Sequence, residues 1–122
     1  MVFRQVFYFR AESRLVSVFD FIEEMISSEL ILTDSGGIQE EAPAFNIPVV
    51  VLRNETERTE GVKAGTLIMA GTEEENIFKV TEKLITDKSY YNKIADAENP
   101  YGKGDSSKQI VDFLIKKLGA KQ

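Results

Sequence analysis

Three short, mostly apolar runs limit what this chain can fold into more than any other feature of its sequence. The runs are LILT at residues 30–33, IPVVVL at 47–52 and TLIMA at 66–70, and none of them alternates apolar with polar residues. Strands of this character are buried on both faces, as in parallel sheets that helices cover on both sides. Polar or amphipathic segments separate the runs, which is the order expected of right-handed βαβ units. The sequence therefore predicts an α/β fold with a parallel sheet flanked by helices.

Helices are predicted where apolar residues recur with helical spacing outside these runs. Residues 19–27 and 106–118 each place apolar side chains on one face. Thr72 and Glu75 have the spacing of a capping box, which predicts Thr72 as the N-cap of another helix. A further helix is predicted from residue 37 to about residue 45. These helices would supply the cover that the predicted sheet needs.

Composition and charge exclude several classes of function. The chain has 122 residues, which suits one domain with a single core and is short for two domains that face each other across a cleft. Its net charge of −5, with acids and bases interspersed, disfavours nucleic acids and anionic membranes as partners. The absence of cysteine and histidine excludes disulfides, thiolate and imidazole metal sites and histidine-based catalysis. We expect a cytoplasmic protein that needs no metal.

The first apolar run leads directly into DSGG, residues 34–37. Two glycines between a strand and a helix leave backbone N–H groups unshielded, and the start of a helix has unpaired N–H groups and a partial positive charge. A phosphate is the natural ligand of such a turn, and Ser35 adds a hydroxyl donor. A plain tight turn accounts for the same residues. A phosphate site at Ser35, Gly36 and Gly37 is therefore one of two interpretations of this stretch.

Charged residues follow two neighbouring runs. Glu40 and Glu41 are expected near the start of the predicted helix, where they balance the helix dipole or accept hydrogen bonds from the vicinal hydroxyls of a ribose. Arg53 and Arg58 come after the second run, which ends at the same edge of the predicted sheet. Each arginine either faces a bound anion or forms a surface ion pair with a neighbouring glutamate.

Several long motifs resemble those of one enzyme family in both order and spacing. They are LILTDSGGIQEEAPAFNIPVVVLRNETERTEGVKAGT, then GTEEENI, then NPYGKGDSSKQIVDFL. Together, within residues 19–116, they resemble the C-terminal half of the non-hydrolysing UDP-N-acetylglucosamine 2-epimerases. The resemblance implies a Rossmann-like domain, the nucleotide-binding half of a two-domain architecture of the glycosyltransferase-B type.

The resemblance also implies a ligand, a reaction and site residues. The family converts UDP-N-acetylglucosamine to UDP-N-acetylmannosamine, a precursor of surface polysaccharides, by anti-elimination of UDP and re-addition to the other face of the sugar. No metal or redox cofactor is implied. The implied UDP-binding residues are Phe21 for the uracil, Glu41 for the ribose hydroxyls, Arg58 for the diphosphate side, and Ser35, Gly36 and Gly37 for the phosphates.

The sequence departs from the family pattern in ways that bear on activity. The family is about three times as long, and the carboxylates that move the C2 proton belong to an N-terminal domain that this chain lacks. No catalytic residue is therefore assigned, and the chain alone is expected to bind UDP without turnover. Residues 1–18 are predicted to be a divergent segment, 19–118 the UDP-binding domain and 119–122 a tail. Thr59 stands where the family has proline.

Three functions remain open at this point. The chain is a UDP-binding epimerase domain, inactive alone or completed by an N-terminal catalytic partner. Alternatively, it is the nucleotide-sugar-binding half of a split glycosyltransferase, which would share the phosphate turn but would not require the TER motif (residues 56–58) and the NPYG motif (residues 99–102) together. The third possibility is a non-enzymatic remnant whose exposed face mediates self-association.

Overall fold

The computed structural model describes residues 6–9 and 17–119. Within them, four parallel strands form one sheet in the order β1-β2-β3-β4. The pairing sets Val6 opposite Leu30, Ile31 opposite Val49, and Val49 opposite Leu67. This confirms the predicted α/β fold and its parallel sheet. The strands are β1 (Val6–Phe9), β2 (Leu30–Thr33), β3 (Val49–Val51) and β4 (Leu67–Met69).

The helices connect the strands and extend beyond the sheet. Ser17 caps the first helix, because its hydroxyl accepts a hydrogen bond from the Asp20 N–H at 3.1 Å. The second helix is shorter than predicted and continues as a 3-10 turn, Ala42–Phe45. The helices are α1 (Val18–Ile26), α2 (Gly36–Glu41), α3 (Thr59–Ala64), α4 (Glu74–Thr86), α5 (Lys88–Ala95) and α6 (Ser106–Gly119).

Two apolar layers cover the sheet, one on each face. Val49 and Val51 belong to one layer and Val50 to the other, as the alternation of side chains along a strand requires. The first layer brings α1 and α2 onto the sheet through Met25 and Ile38, with Phe21 packed beside them. The second layer does the same for α4 and α5. The sheet is thus buried on both faces, which explains why its strands are apolar without alternation.

The predicted capping box at Thr72 is wrong. The N-cap of α4 is Glu73, and no side chain accepts a capping hydrogen bond there. Gly71, at φ 72°, turns the chain just before Thr72, and the N-cap lies one residue later than expected. Glu74 and Glu75 then both lie in the first turn of α4, where the helix dipole favours their charges.

The last helix differs from the others because none of its residues is buried. Its apolar residues, including Phe113 and Leu114, are exposed. In the described part of the chain, no helix combines the length and apolar character needed to cross a membrane. Most of the predicted N-terminal segment 1–18 and most of the tail 119–122 lie outside the described residues, and the domain boundaries stay predictions.

Candidate functional site

The carboxyl ends of β2 and β3 bring two connecting segments side by side. β2 ends at Thr33 and β3 at Val51, and the Leu52 N–H donates a hydrogen bond of 2.9 Å to the Thr33 carbonyl. The segment that leads to α2 and the segment that leads to α3 therefore leave the sheet at the same edge. This is the edge at which parallel α/β sheets bind their ligands.

Ser35 and the two glycines form the start of α2. Ser35 is the N-cap in extended conformation, and its hydroxyl makes no capping hydrogen bond. Its own N–H donates to Thr33 Oγ1 at 3.0 Å, so that donor is occupied. Gly36 and Gly37 lie in the first helical turn, where N–H groups have no acceptor within the helix. The donors available to an anion are thus the Ser35 hydroxyl and the first N–H groups of α2.

Arg58 lies directly against this helix start. A side chain on Gly36 would place its Cβ 2.9 Å from Arg58 Nη2 and 3.2 Å from Cζ, so the guanidinium can keep its observed position only beside a glycine. Arg58 Nε lies 2.7 Å from Glu40 Oε1, an ion pair without the alignment of a hydrogen bond. The Arg58 side chain is 27% exposed. One cation and the unpaired donors of a helix start therefore meet at one spot.

The structure shows different closest ion-pair partners for Arg53 and Arg58, whose roles the sequence did not decide. Arg53 pairs with Glu57 at 3.4 Å, four residues along the chain, and both side chains are exposed. The pKa of Glu57 is lowered, first by a hydrogen bond from its own backbone N–H and then by the charge of Arg53. Such exposed pairs contribute little to stability, because water and salt screen the two charges. Arg53 therefore matches the surface ion-pair interpretation, whereas Arg58, whose Nη1 also lies 4.0 Å from Glu57, reaches across to Glu40 of α2.

The acids are placed differently from the expectation. The first turn of α2 contains no acidic residue, since Glu40 and Glu41 are its last two residues. The prediction that both lie near the helix start is wrong, because α2 begins at Gly36 and is only six residues long. Glu40 instead holds Arg58. Glu41 is exposed at the end of α2, and its role towards a ribose stays a prediction.

Two polar residues that sequence reasoning missed connect α2 to the arginine segment. Gln39 is fully buried, its Nε2 donating to the Ser35 carbonyl at 3.2 Å and its Oε1 accepting from Thr56 Oγ1 at 2.6 Å. Thr56 Oγ1 in turn accepts from the Arg58 N–H at 3.0 Å. A glutamine between glycines and acids, and a threonine in a polar loop, give no periodic signal that would have singled them out.

The NPYG motif packs behind the arginine segment. Gly61 of α3 is so close to its neighbours that a Cβ there would lie 2.6 Å from Leu67 Cδ1 and 2.7 Å from Tyr101 Oη. The pKa of the Tyr101 phenol is raised, first by burial and then by the charge of Glu60. The Gly61 N–H donates to the Arg58 carbonyl at 3.1 Å. The NPYG motif therefore packs on α3, the helix that begins directly after Arg58 of the TER motif.

The structure gathers some of the predicted site residues and not others. Ser35, Gly36, Gly37 and Arg58 lie together at the start of α2. Phe21 lies on α1 and packs against the first apolar layer, so its place beside a uracil stays a prediction. A separate cavity of about 350 Å³ lies between α3, β4 and α5, and its lining includes none of the predicted site residues. The candidate site is thus an open surface at the strand ends.

Comparison with known proteins identifies the family of the chain. The model of the family described as UDP-N-acetylglucosamine 2-epimerase matches residues 13–115. A UDP-N-acetylglucosamine 2-epimerase of Bacillus subtilis is 53% identical over 100 residues, which are 82% of this chain and 26% of that protein. A putative enzyme of the same name from Thermotoga maritima is 50% identical over 104 residues, 85% of this chain and 28% of its own. This chain spans about a quarter of the length of these relatives.

Solved structures agree with the sequence relatives. The S. aureus protein solved with UDP is 49% identical, with a TM-score of 0.80 over 85% of this chain and 28% of its own. The Neisseria meningitidis UDP-GlcNAc 2-epimerase bound to UDP-GlcNAc is 48% identical, with the same TM-score and coverage. The fold, the motifs and the relatives lead to one conclusion: the chain belongs to the UDP-N-acetylglucosamine 2-epimerase family.

Proposed function

We propose that this chain is the C-terminal, UDP-binding part of a UDP-N-acetylglucosamine 2-epimerase, and that it binds UDP or a UDP-N-acetylhexosamine at the carboxyl ends of β2 and β3. The observation that supports this most directly is the Arg58 guanidinium packed against Gly36 at the start of α2. Two solved relatives are complexes with UDP or UDP-GlcNAc, which fits a nucleotide-sugar ligand.

The proposed binding mode follows from the donors at this spot. The Ser35 hydroxyl and the first N–H groups of α2 donate hydrogen bonds to one side of the diphosphate, and Arg58 neutralises the other. Glu40 already partners Arg58 at 2.7 Å, so it orients the guanidinium and competes with the diphosphate for its charge. Glu41 would accept the ribose hydroxyls and Phe21 would line the uracil. The site recognises the anion by geometry rather than by net charge, which is −5 overall.

The chemistry of these residues suits a leaving diphosphate. In the family reaction UDP departs and returns, and positioned donors that stabilise its charge lower the barrier of both steps. We propose that this chain supplies only that part of the reaction and binds without turnover on its own. Transfer of the C2 proton belongs to the catalytic remainder of the enzyme. The proposal includes no metal or cofactor and places the protein in the cytoplasm, in the supply of surface-polysaccharide precursors.

Titration of the purified chain with UDP, followed by NMR or calorimetry, tests the binding proposal. We expect a dissociation constant between about 0.1 mM and several mM, or about −4 to −5.5 kcal/mol, because half of a two-domain cleft contacts little of the ligand. Arg58→Ala should weaken binding about tenfold or more, since a charge-assisted hydrogen bond is lost. Arg53→Ala is the matched control and should bind UDP like the wild type. Absence of saturable binding by the folded wild-type chain would overturn the proposal.

We propose a polypeptide that supplies the catalytic remainder of the enzyme as the partner of this chain. The exposed apolar residues of α6, such as Phe113 and Ile115, provide the surface. The presence of both the TER and NPYG motifs, with Tyr101 of the second packed against α3, favours an epimerase over a split glycosyltransferase.

A mixing experiment tests whether this chain and the proposed partner form an active enzyme. The chain is combined with the part of the Bacillus subtilis relative that the match leaves uncovered, and conversion of UDP-N-acetylglucosamine to UDP-N-acetylmannosamine is measured. We expect activity only in the mixture, lost with Phe113→Glu and kept with the exposed control Lys108→Glu. Self-association of the chain through α6, with no activity in the mixture, would support the remnant interpretation instead.

A further inference from the structure

We infer that Gln39 and Thr56 form a hydrogen-bonded bridge that positions Arg58 over the start of α2, so that the guanidinium is in place before an anion arrives. The inference rests on the proposed function, because it assigns Arg58 to the diphosphate. Gln39 and Thr56 are positioning residues, since they act through Arg58 and not on the ligand.

The burial of the Gln39 amide determines which hydrogen bonds the bridge must contain. Gln39 is 0% exposed, and an amide buried without partners would be costly, so both of its ends must be satisfied within the protein. Its Nε2 donates to the Ser35 carbonyl and its Oε1 accepts from Thr56 Oγ1. Gln39 therefore fixes Thr56 relative to the N-cap of α2, which is the residue that begins the proposed phosphate site.

Thr56 in turn restricts the backbone position of Arg58. A threonine hydroxyl has one donor and can accept as well, and both capacities are used: it donates to Gln39 and accepts from the Arg58 N–H at 3.0 Å. Arg58 is the N-cap of α3, with φ −90° and ψ 53°, outside the regular helical and extended conformations. The hydrogen bond from its N–H thus holds a backbone position that no regular element enforces.

Both anchors of Arg58 come from the same helix. Gln39 holds its backbone through Thr56, and the next residue of α2, Glu40, holds its guanidinium at 2.7 Å. The helix also contains Gly36, against which the guanidinium packs. A free arginine would sample many rotamers, and fixing them in advance reduces the entropy lost when a ligand binds. The bridge therefore makes the cation and the helix start one rigid unit.

Thr56→Val tests the bridge, because valine keeps the shape of threonine and removes the hydroxyl. Thr56→Ser is the matched control that keeps the hydroxyl, and an NMR spectrum of each variant verifies the fold. Without ligand, we expect the Arg58 amide to exchange with solvent about tenfold faster in Thr56→Val than in the wild type and the serine variant. With ligand, we expect UDP to bind about fivefold more weakly to Thr56→Val, while uridine, which has no phosphate, binds as before.

The results of these experiments test the hydrogen-bonded bridge independently of the proposed UDP binding. Unchanged Arg58 exchange in Thr56→Val would overturn the bridge, whatever the chain binds. An equal loss of UDP and uridine affinity would also overturn it, since it would indicate a structural defect and not a misplaced arginine. If the wild-type chain bound no UDP, the proposed function would fail, and the exchange of the Arg58 amide would still decide whether the bridge exists. Gln39→Met, which removes the other side of the bridge, should reproduce the faster exchange.

Discussion

Helices α2 and α6 were both predicted from the sequence, but they differ in what covers them. The six residues of α2 bury Ile38 and Gln39 against the sheet, and the turn that follows buries Ala42 and Pro43. The fourteen residues of α6 bury none. Apolar spacing therefore predicts which face of a helix needs cover, but not whether the same chain provides it. For α2 the cover is the parallel sheet, and for α6 we have proposed a second polypeptide.

The same substitution in the two helices should give the sharpest contrast. Ile38 is 2% exposed and Ile115 is 64% exposed. Ile38→Ala leaves a cavity in the first apolar layer and should lower the free energy of unfolding by about 3 kcal/mol. Ile115→Ala removes a side chain that is already in water and should change it by less than about 0.5 kcal/mol. Urea denaturation followed by circular dichroism measures both, and equal losses would show that α6 packs on the folded body in solution.

A pair of glycine substitutions tests whether the packed region is equally intolerant throughout. Gly61→Ala would bring a Cβ within 2.6 Å of Leu67 Cδ1, in a site with little freedom to adjust, and should cost about 2 kcal/mol. Gly36→Ala would meet the mobile end of the Arg58 side chain at 2.9 Å. The guanidinium can move away, so stability should change by less than about 1 kcal/mol, and the gain of alanine over glycine within a helix offsets part of that.

Gly36→Ala, the substitution that costs less stability, should have the larger effect on UDP binding. Gly36→Ala displaces Arg58 and should weaken UDP binding about tenfold, the equivalent of about 1.4 kcal/mol. Gly37→Ala is the control, because its Cβ would meet only Ser35 Oγ, at 3.9 Å. A Gly36→Ala variant that binds UDP normally would mean that the guanidinium position is irrelevant to the ligand.

The sequence alone predicted those features that depend only on the residues of a single strand, helix or turn. The unbroken apolar runs predicted β2, β3 and β4 because burial on both faces leaves no polar position in a strand. DSGG marked the start of α2 because serine and glycine after a strand are typical of a turn into a helix. The helix at Ser106 was predicted by its spacing, although its lack of cover was not.

Features that depend on contacts between distant residues could not be predicted in this way. The choice between Arg53 and Arg58 depends on α3, whose start turns Arg58 towards α2 and leaves Arg53 beside Glu57. The hydrogen bond between Gln39 and Thr56 joins residues 17 positions apart, and neither has a local pattern that announces it. Gly71 displaced the start of α4 through a left-handed conformation that glycine permits but does not require.

Alkaline pH should loosen the packed region through its partly buried tyrosines, and this is the smallest effect we expect. The pKa of Tyr91 is raised by burial and then by the charges of Glu29 and Asp96, while its hydroxyl donates to the Glu29 carbonyl at 2.6 Å. The Tyr101 pKa is raised as well, again chiefly by burial. Each phenol therefore loses its proton at lower pH in the unfolded chain, near its ordinary value of about 10, than in the folded protein.

Stability contributed by these phenols is present in full below pH of about 10 and is lost as the pH rises from there through the raised folded-state values. Urea midpoints measured between pH 8 and pH 11 should fall at the alkaline end. Tyr91→Phe should reduce that slope and also lower stability at neutral pH by about 1 kcal/mol, because the hydrogen bond to Glu29 is lost. Tyr101→Phe should reduce the slope with little loss at neutral pH, since its hydroxyl makes no well-aligned hydrogen bond to the described residues, although the Gly61 backbone lies close enough to lower its pKa slightly. A slope that survives both substitutions would show that other groups cause the alkaline loss.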